Sequence, residues 1–135
     1  MSKKKILIFS LLTLFLILGA LLLWINSSMI KHLDELDGRG RFITDVRSPT
    51  KEYTAIAYVI DDGGATVAAE LRVDITSYRL AERDFNDKTI YWDRDTPYME
   101  NPHIKWINRH TVEVNGVKID IYDEDTYYNW RDHTK

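Results

Sequence analysis

The side chains that could carry chemistry gather in three stretches. IDDGGATVAAE, from Ile60 to Glu70, sets two adjacent carboxylates, Asp61 and Asp62, before a glycine pair and a threonine. YWDRDTPY places Asp93 and Asp95 beside Trp92, and IYDEDTYYNWRD follows Asp123 and Asp125 with Tyr127, Tyr128 and Trp130. Groups of these kinds can hold a cation, cradle a phosphate, or stack on a sugar ring while bonding its hydroxyls.

The first stretch reads best as a turn. A phosphate loop runs from a strand into a helix and is followed by a lysine. Here a strand pattern follows, and the next basic residue is Arg72. A calcium loop needs oxygen ligands at alternate positions and a closing glutamate, whereas neighbours such as Asp61 and Asp62 point to opposite sides of an extended chain. Gly63 and Gly64 suit a hairpin loop that requires positive φ. What remains for Asp61 and Asp62 is contact with a partner from an exposed acidic tip.

The other two stretches support two readings. Exposed aromatic rings beside carboxylates make a glycan-binding surface, and a glycosidase would add two carboxyl groups at a defined separation. Strand packing alone also favours Trp and Tyr, which suits Trp92 and Trp106 better than Tyr127, Tyr128 and Trp130. His32, His103, His110 and His133 are scattered without metal-ligand spacing, and the chain has no cysteine and no G-x-S-x-G element. The candidate binding surface is therefore Asp61, Asp62, Trp92, Asp93, Asp95, Tyr127, Tyr128 and Trp130, with no catalytic residue, metal ligand or cofactor assigned.

The elements that must position these groups begin with a membrane segment. Ile6 to Ile25 is 20 residues without a charge, 15 of them Leu, Ile or Phe, enough to cross a hydrocarbon core of roughly 30 Å as a helix. A cleaved signal would be shorter and end at a small-x-small site; Asn26, Ser27 and Ser28 do not supply one. Lys3, Lys4 and Lys5 crowd against the start of the run, which predicts a cytoplasmic N-terminus for residues 1–5 and a domain outside the membrane.

Only those three of the 18 basic residues precede the span, whereas all 21 acidic residues follow it. The remainder thus carries a formal charge of −6, the wrong sign for a nucleic-acid binder. Residues 26–47 read as a juxtamembrane helix or linker, in which Ile30, Leu33 and Leu36 share a face and Gly38 stops the helix.

From 48 to 122 the pattern alternates. Thr111 to Asp120 contains Asn115-Gly116, a strong hairpin signal. Folding about it sets Val114 opposite Val117, Glu113 opposite Lys118 and Val112 opposite Ile119, with one face wholly apolar. Tyr53 to Ile60 is apolar on both faces and suits a central strand. Ala65 to Ile75 alternates, with Val67, Ala69, Leu71, Val73 and Ile75 inward and Glu70, Arg72 and Asp74 outward. Lys88 to Trp92 and His103 to Asn108 add two short strands. Six closely spaced strands predict a mostly β fold: a small antiparallel β-sheet, sandwich or partial barrel after an N-terminal transmembrane helix, ending in an acidic aromatic tail over 123–135.

SPTKEYTAIAYVIDDGGAT, followed by KTIYW and IKWINRHTVEVNG, resembles a family of small Gram-positive bacterial membrane-anchored proteins known as domain of unknown function 5412. The resemblance implies an N-terminal hydrophobic segment followed by a β-rich domain, and implies no reaction.

These readings predict a single-pass membrane-anchored protein whose non-catalytic extracytoplasmic domain binds a cell-envelope protein or glycan. The competing expectation is an envelope hydrolase or metal-dependent glycan binder, with Asp93, Asp95, Asp123 and Asp125 converging beside Trp92 and Trp130 in a concave site. The bilayer, through residues 6–25, is the one partner read directly; the oligomeric state is not encoded in any recognisable motif.

Overall fold

A computed structural model of the protein describes residues 1–61, 63–64, 67–78 and 85–133. The chain divides into two compact units, Met1–Ile30 and Lys31–Lys135.

The first unit is one helix, α1, Lys3–Ser28, capped by the Ser2 side chain, which accepts from the Lys5 amide. Its 26 residues rise about 39 Å. None of them is buried, and the helix is long and apolar enough to cross a membrane. Three of its hydroxyls bond within the helix: Thr13 donates to the Phe9 carbonyl at 2.9 Å, and Ser27 and Ser28 donate to the Trp24 carbonyl at 2.9 and 2.8 Å. Such internal satisfaction is what a helix in hydrocarbon requires.

The second unit is built of two sheets, with eight strands in the chain among the described residues. β1 Arg41–Arg47, β2 Tyr53–Ile60, β3 Glu70–Ser77, β4 Lys88–Arg94 and β8 Tyr128–Asn129 form the larger sheet in that order. β5 Ile104–Trp106, β6 Thr111–Val114 and β7 Val117–Asp120 form the smaller. All neighbours pair antiparallel except β4 and β8, which are parallel. Tyr53, Ala55, Ala57, Leu71, Val73, Ile75 and Tyr91 from the larger sheet meet Trp106, Val112, Val114, Ile119 and Ile121 in one buried core. The architecture is an open two-sheet arrangement, not a closed barrel.

The hairpin at Asn115-Gly116 has the expected register, Val114 to Val117, Glu113 to Lys118 and Val112 to Ile119. Its central residues take φ of 49° and 86°, both positive as a type I′ turn demands. β2 is central, flanked by β1 and β3.

Three expectations need correction. RFITDVR, placed in the juxtamembrane linker, is strand β1, and the preceding helix is reduced to a single 3-10 turn, Leu33–Leu36. Alternation in β1 is masked because an edge strand leaves much of both faces exposed, so no apolar face stands out. Val67, expected inward, is 51% exposed, since β3 starts only at Glu70. Arg72 and Asp74, expected outward in solvent, are fully buried. The second face of the larger sheet is covered, by Leu36 of the 3-10 turn and by Trp92 with the C-terminal segment, and alternation alone cannot report that cover.

The tail is likewise part of the fold. Glu124–Thr126 forms a 3-10 turn, Tyr128 and Asn129 pair with Tyr91 and Trp92 as β8, and Trp130–His133 closes the chain as the short helix α2.

Candidate functional site

Three segments distant in sequence surround a cleft of about 520 Å³ in the second unit. One wall is the 3-10 turn and its flanks, with His32, Leu33, Asp34 and Asp37. The floor is the start of β4, with Asn86, Lys88 and Thr89. The C-terminal segment supplies the other wall, with Glu124, Tyr127, Asn129 and Asp132.

Each wall is fixed by local chemistry. Glu35 accepts from the amides of His32 at 2.9 Å and Lys31 at 3.2 Å, which caps the 3-10 turn. Those two bonds hold the Glu35 carboxyl below the usual range. Leu36, wholly buried, pins the turn to the sheet at a cost on removal of several kcal/mol, on the order of 2–5. Opposite, Thr126 Oγ1 donates to the Asp123 carbonyl at 2.6 Å and accepts from the Asp120 amide at 3.0 Å, tying the C-terminal segment to the end of β7. Asn129, nearly buried, joins the two walls: its Nδ2 donates to the Lys31 carbonyl at 2.9 Å, and its Oδ1 accepts from the Arg131 amide at 3.0 Å.

The lining is acidic. Lys88 Nζ lies 2.7 Å from Glu124 Oε1 and 5.5 Å from the centre of the Tyr127 ring. Burial works most strongly against the Lys88 charge, but the bond and attraction to Glu124 together with those to Tyr127 outweigh it and raise the ammonium above its ordinary value. The same bond lowers the Glu124 carboxyl, so this pair is internally neutralised. Asp34, Asp37 and Asp132 make no ion pair with a described residue. Three uncompensated carboxylates around one opening favour a cation or a hydroxyl-rich group over an anion.

Of the candidate binding residues read from sequence, only Tyr127 lines this cleft. Its hydroxyl donates to the Ile121 carbonyl at 2.6 Å, and burial raises its pKa. Tyr128 stacks between Tyr91 and His133, at centroid distances of 5.0 and 4.9 Å. Trp130 meets the edge of Trp92 at 5.6 Å and lies under the guanidinium groups of Arg94 and Arg131, at 5.2 and 4.6 Å. Trp92 is 1% exposed, so it packs the sheet and offers no surface; its Nε1 donates to Glu70 at 3.0 Å.

The candidate acids do not converge. Asp93 accepts from the Tyr91 hydroxyl at 2.9 Å, and Asp95 sits exposed at a turn with φ of 55°. Asp123 caps the second 3-10 turn by accepting from the amide of Asp125 at 3.1 Å. Asp61 is ion-paired with Arg41 at 3.3 Å on the far side of β2's end, and Asp62 lies outside the described residues. Gly64, with φ of 75°, serves the turn as expected. Among the described residues no three metal-ligating side chains come together.

The cleft was missed because its acids, Asp34, Asp37, Glu124 and Asp132, carry no spacing signal in the chain. One hint existed: each falls in a short stretch where charge interrupts an apolar-periodic pattern, at DELD and at the tail.

A family model described as a family of unknown function (DUF5412) matches residues 1–133. No curated protein matches the chain, and no solved structure does.

Proposed function

The chain belongs to the DUF5412 family, whose function is unknown, and on that premise we propose that it is a single-pass anchored protein of a Gram-positive cell envelope. Its N-terminus lies in the cytoplasm and its β domain lies outside, where it acts as a binding module without catalysis. The ligand is a cationic or hydroxyl-bearing group of an envelope glycan or protein, held in the acidic cleft.

One observation carries the binding reading: carboxylates from two segments far apart in sequence, Asp34 and Asp37 on one wall and Glu124 and Asp132 on the other, line a cavity of about 520 Å³, the size range of small-ligand sites. Lys3, Lys4 and Lys5 in the first turn of α1 support the orientation. The rival hydrolase reading loses its support, since Asp93, Asp95, Asp123 and Asp125 are engaged in local structure or exposed apart from the cleft.

Two experiments test the parts separately. The chain has no native cysteine, so Asp125→Cys gives a single thiol in the domain and Ser2→Cys one at the other end. In intact cells, a membrane-impermeant maleimide should label the first and spare the second; the reverse pattern overturns the location. For binding, the full-length protein in detergent micelles is titrated with a wall glycan fragment bearing free amines and with the same fragment N-acetylated. Preference for the amine form, lost in Asp34→Asn/Asp132→Asn, is expected. Equal binding of both forms, or of neither, would remove the cationic-ligand reading.

A further inference from the structure

Two residues, Met29 and Ile30, separate the end of α1 at Ser28 from Lys31, where the second unit begins. Three residue steps reach at most roughly 11 Å, so Lys31 stays close to the end of α1 in any arrangement of the two units. Ser28 itself lies three helical residues beyond Ile25, the last of the apolar run, a rise of about 4.5 Å that ends in the headgroup layer when α1 spans a bilayer. The first residues of the domain then stand at the membrane surface.

The C-terminal segment joins Lys31 there. The Lys31 carbonyl accepts from Asn129 Nδ2 at 2.9 Å, and Asn129 pairs in register with Trp92. Trp130, the next residue, lies under the guanidinium groups of Arg94 and Arg131 at 5.2 and 4.6 Å, and Arg131 also lies 5.4 Å from the centre of the Trp92 ring. Lys31 and Arg94 are exposed, and neither makes an ion pair with a described residue. Acids on the same segments are engaged within the domain. Glu70, opposite Arg94 in the register of β3 and β4, accepts from Trp92 Nε1 at 3.0 Å. Glu35 accepts from the amides of Lys31 and His32, Asp93 accepts from the Tyr91 hydroxyl and the Arg94 amide, and Asp132 lines the cleft. Open cations beside a stacked indole reverse, at this one place, the sign of a domain whose formal charge is −6.

We propose that Lys31, Arg94 and Trp130 form a patch that docks the β domain on the anionic phospholipid headgroups of the bilayer holding α1. The patch rests on the anchored part of the reading above and not on the ligand of the cleft. Docking brings the cleft, whose walls include His32, Asn129 and Asp132, to the bilayer surface.

The physical reason is proximity joined to charge. An anionic leaflet attracts lysine and arginine near its surface, and the attraction fades over a Debye length, about 10 Å at 0.1 M salt. The tether is of that length, so the patch works inside the field. Stacking on Trp130 pre-positions the Arg94 guanidinium, which leaves it less freedom to lose on meeting a phosphate, and its N–H fork matches phosphate oxygens. Tryptophan favours the membrane–water boundary, with its ring towards hydrocarbon and its N–H towards the headgroups. The negative charge of the remaining domain opposes adsorption by other faces, which confines contact to the place where the sign reverses.

Paramagnetic relaxation in nanodiscs reads this contact. The full chain is placed in discs of phosphatidylcholine alone, or of phosphatidylcholine with phosphatidylglycerol, each doped with a lipid whose headgroup chelates gadolinium. Enhancement at the Arg94 amide and the Trp130 indole proton should be about three-fold or more greater in the anionic discs, from the attraction each cation gains at such a surface. Raising salt from about 0.1 M to about 1 M shortens the Debye length from about 10 to about 3 Å and should erase the difference. Lys31→Gln/Arg94→Gln should erase it as well, with unchanged amide shifts of Val112 and Ile119 in the smaller sheet reporting an intact fold. Equal enhancement in the two kinds of disc, or a lipid preference that survives salt or the double variant, overturns the patch. Should the variant not fold, the salt series on the wild type decides. A chain that stays outside the discs removes the anchored reading and the patch together, whereas one that enters them without lipid preference removes the patch alone.

Discussion

The indole rings of Trp92 and Trp130 meet edge to face with centroids 5.6 Å apart. This contact fastens the last helical turn onto β4, and β8 places Asn129 beside it, so the C-terminal wall of the cleft stands on aromatic packing. Such a pair contributes about 0.5–1.5 kcal/mol beyond the area it buries.

Removing that ring should therefore loosen the wall and the domain together. Trp130→Ala is expected to lower unfolding free energy by about 2–3 kcal/mol, with Trp130→Phe recovering most of it. Urea unfolding of the full chain in detergent micelles measures both. An alanine variant within 0.5 kcal/mol of wild type, a change typical of neutral surface sites, would mean the tail is not part of the cooperative unit.

Two glycines with positive φ should respond unequally. At Gly116 a Cβ meets nothing within 4 Å, so Gly116→Ala carries only the backbone penalty of φ 86°, about 1 kcal/mol. At Gly40 the Cβ would also collide with the Val59 carbonyl, 2.8 Å from its oxygen and 3.1 Å from its carbon, both backbone atoms that cannot rotate away. Gly40→Ala should cost at least about 2 kcal/mol. Comparable losses at the two sites would argue against the tight crossing of β1's approach over β2.

The raised pKa of Asp74 also sets a global pH dependence. Its folded value of about 6 exceeds the ordinary 3.8, so its contribution is fully present below 3.8 and is lost as pH rises through 6. The span corresponds to roughly 2–3 kcal/mol. The difference in unfolding free energy between wild type and Asp74→Asn should change by that order between pH 4 and 7. A difference that is flat across this range would contradict the shift.

In the first unit, Leu16 lies mid-helix and 64% exposed. An arginine there is unfavourable to membrane insertion by roughly 2.5–3.5 kcal/mol, opposed by the many leucines around it. Leu16→Arg should reduce the fraction resisting alkaline carbonate extraction, and Leu16→Arg/Leu12→Arg should abolish it. Full retention of the double variant would show that α1 is not what holds the chain in the membrane.

What was legible in the sequence was local or periodic. The 20 uncharged residues from Ile6 to Ile25 form a helix because nothing in them breaks one, and length alone makes it able to span a bilayer. Asn115-Gly116 imposed its own register, since few residue pairs take positive φ twice, and β2 was recognisable as central because both its faces are apolar. At the turn after β2, Gly64 takes the positive φ that the same rule expects, whereas Gly63 does not.

Tertiary structure decided everything that depends on which face is covered by what. Arg72 and Asp74 alternate with Leu71, Val73 and Ile75 as solvent-facing residues would, yet both are buried, with the 3-10 turn and α2 packed on the neighbouring strand β4 and the Arg39 carbonyl bonded to Arg72. The cleft arises where His32 to Asp37, Asn86 to Thr89 and Glu124 to Asp132 are brought together by strand order, including one parallel pairing of β8 with β4. Periodicity records the relation of a residue to its own strand, whereas burial and convergence are set by contacts between distant segments, such as Asn129 with Lys31, 98 residues apart.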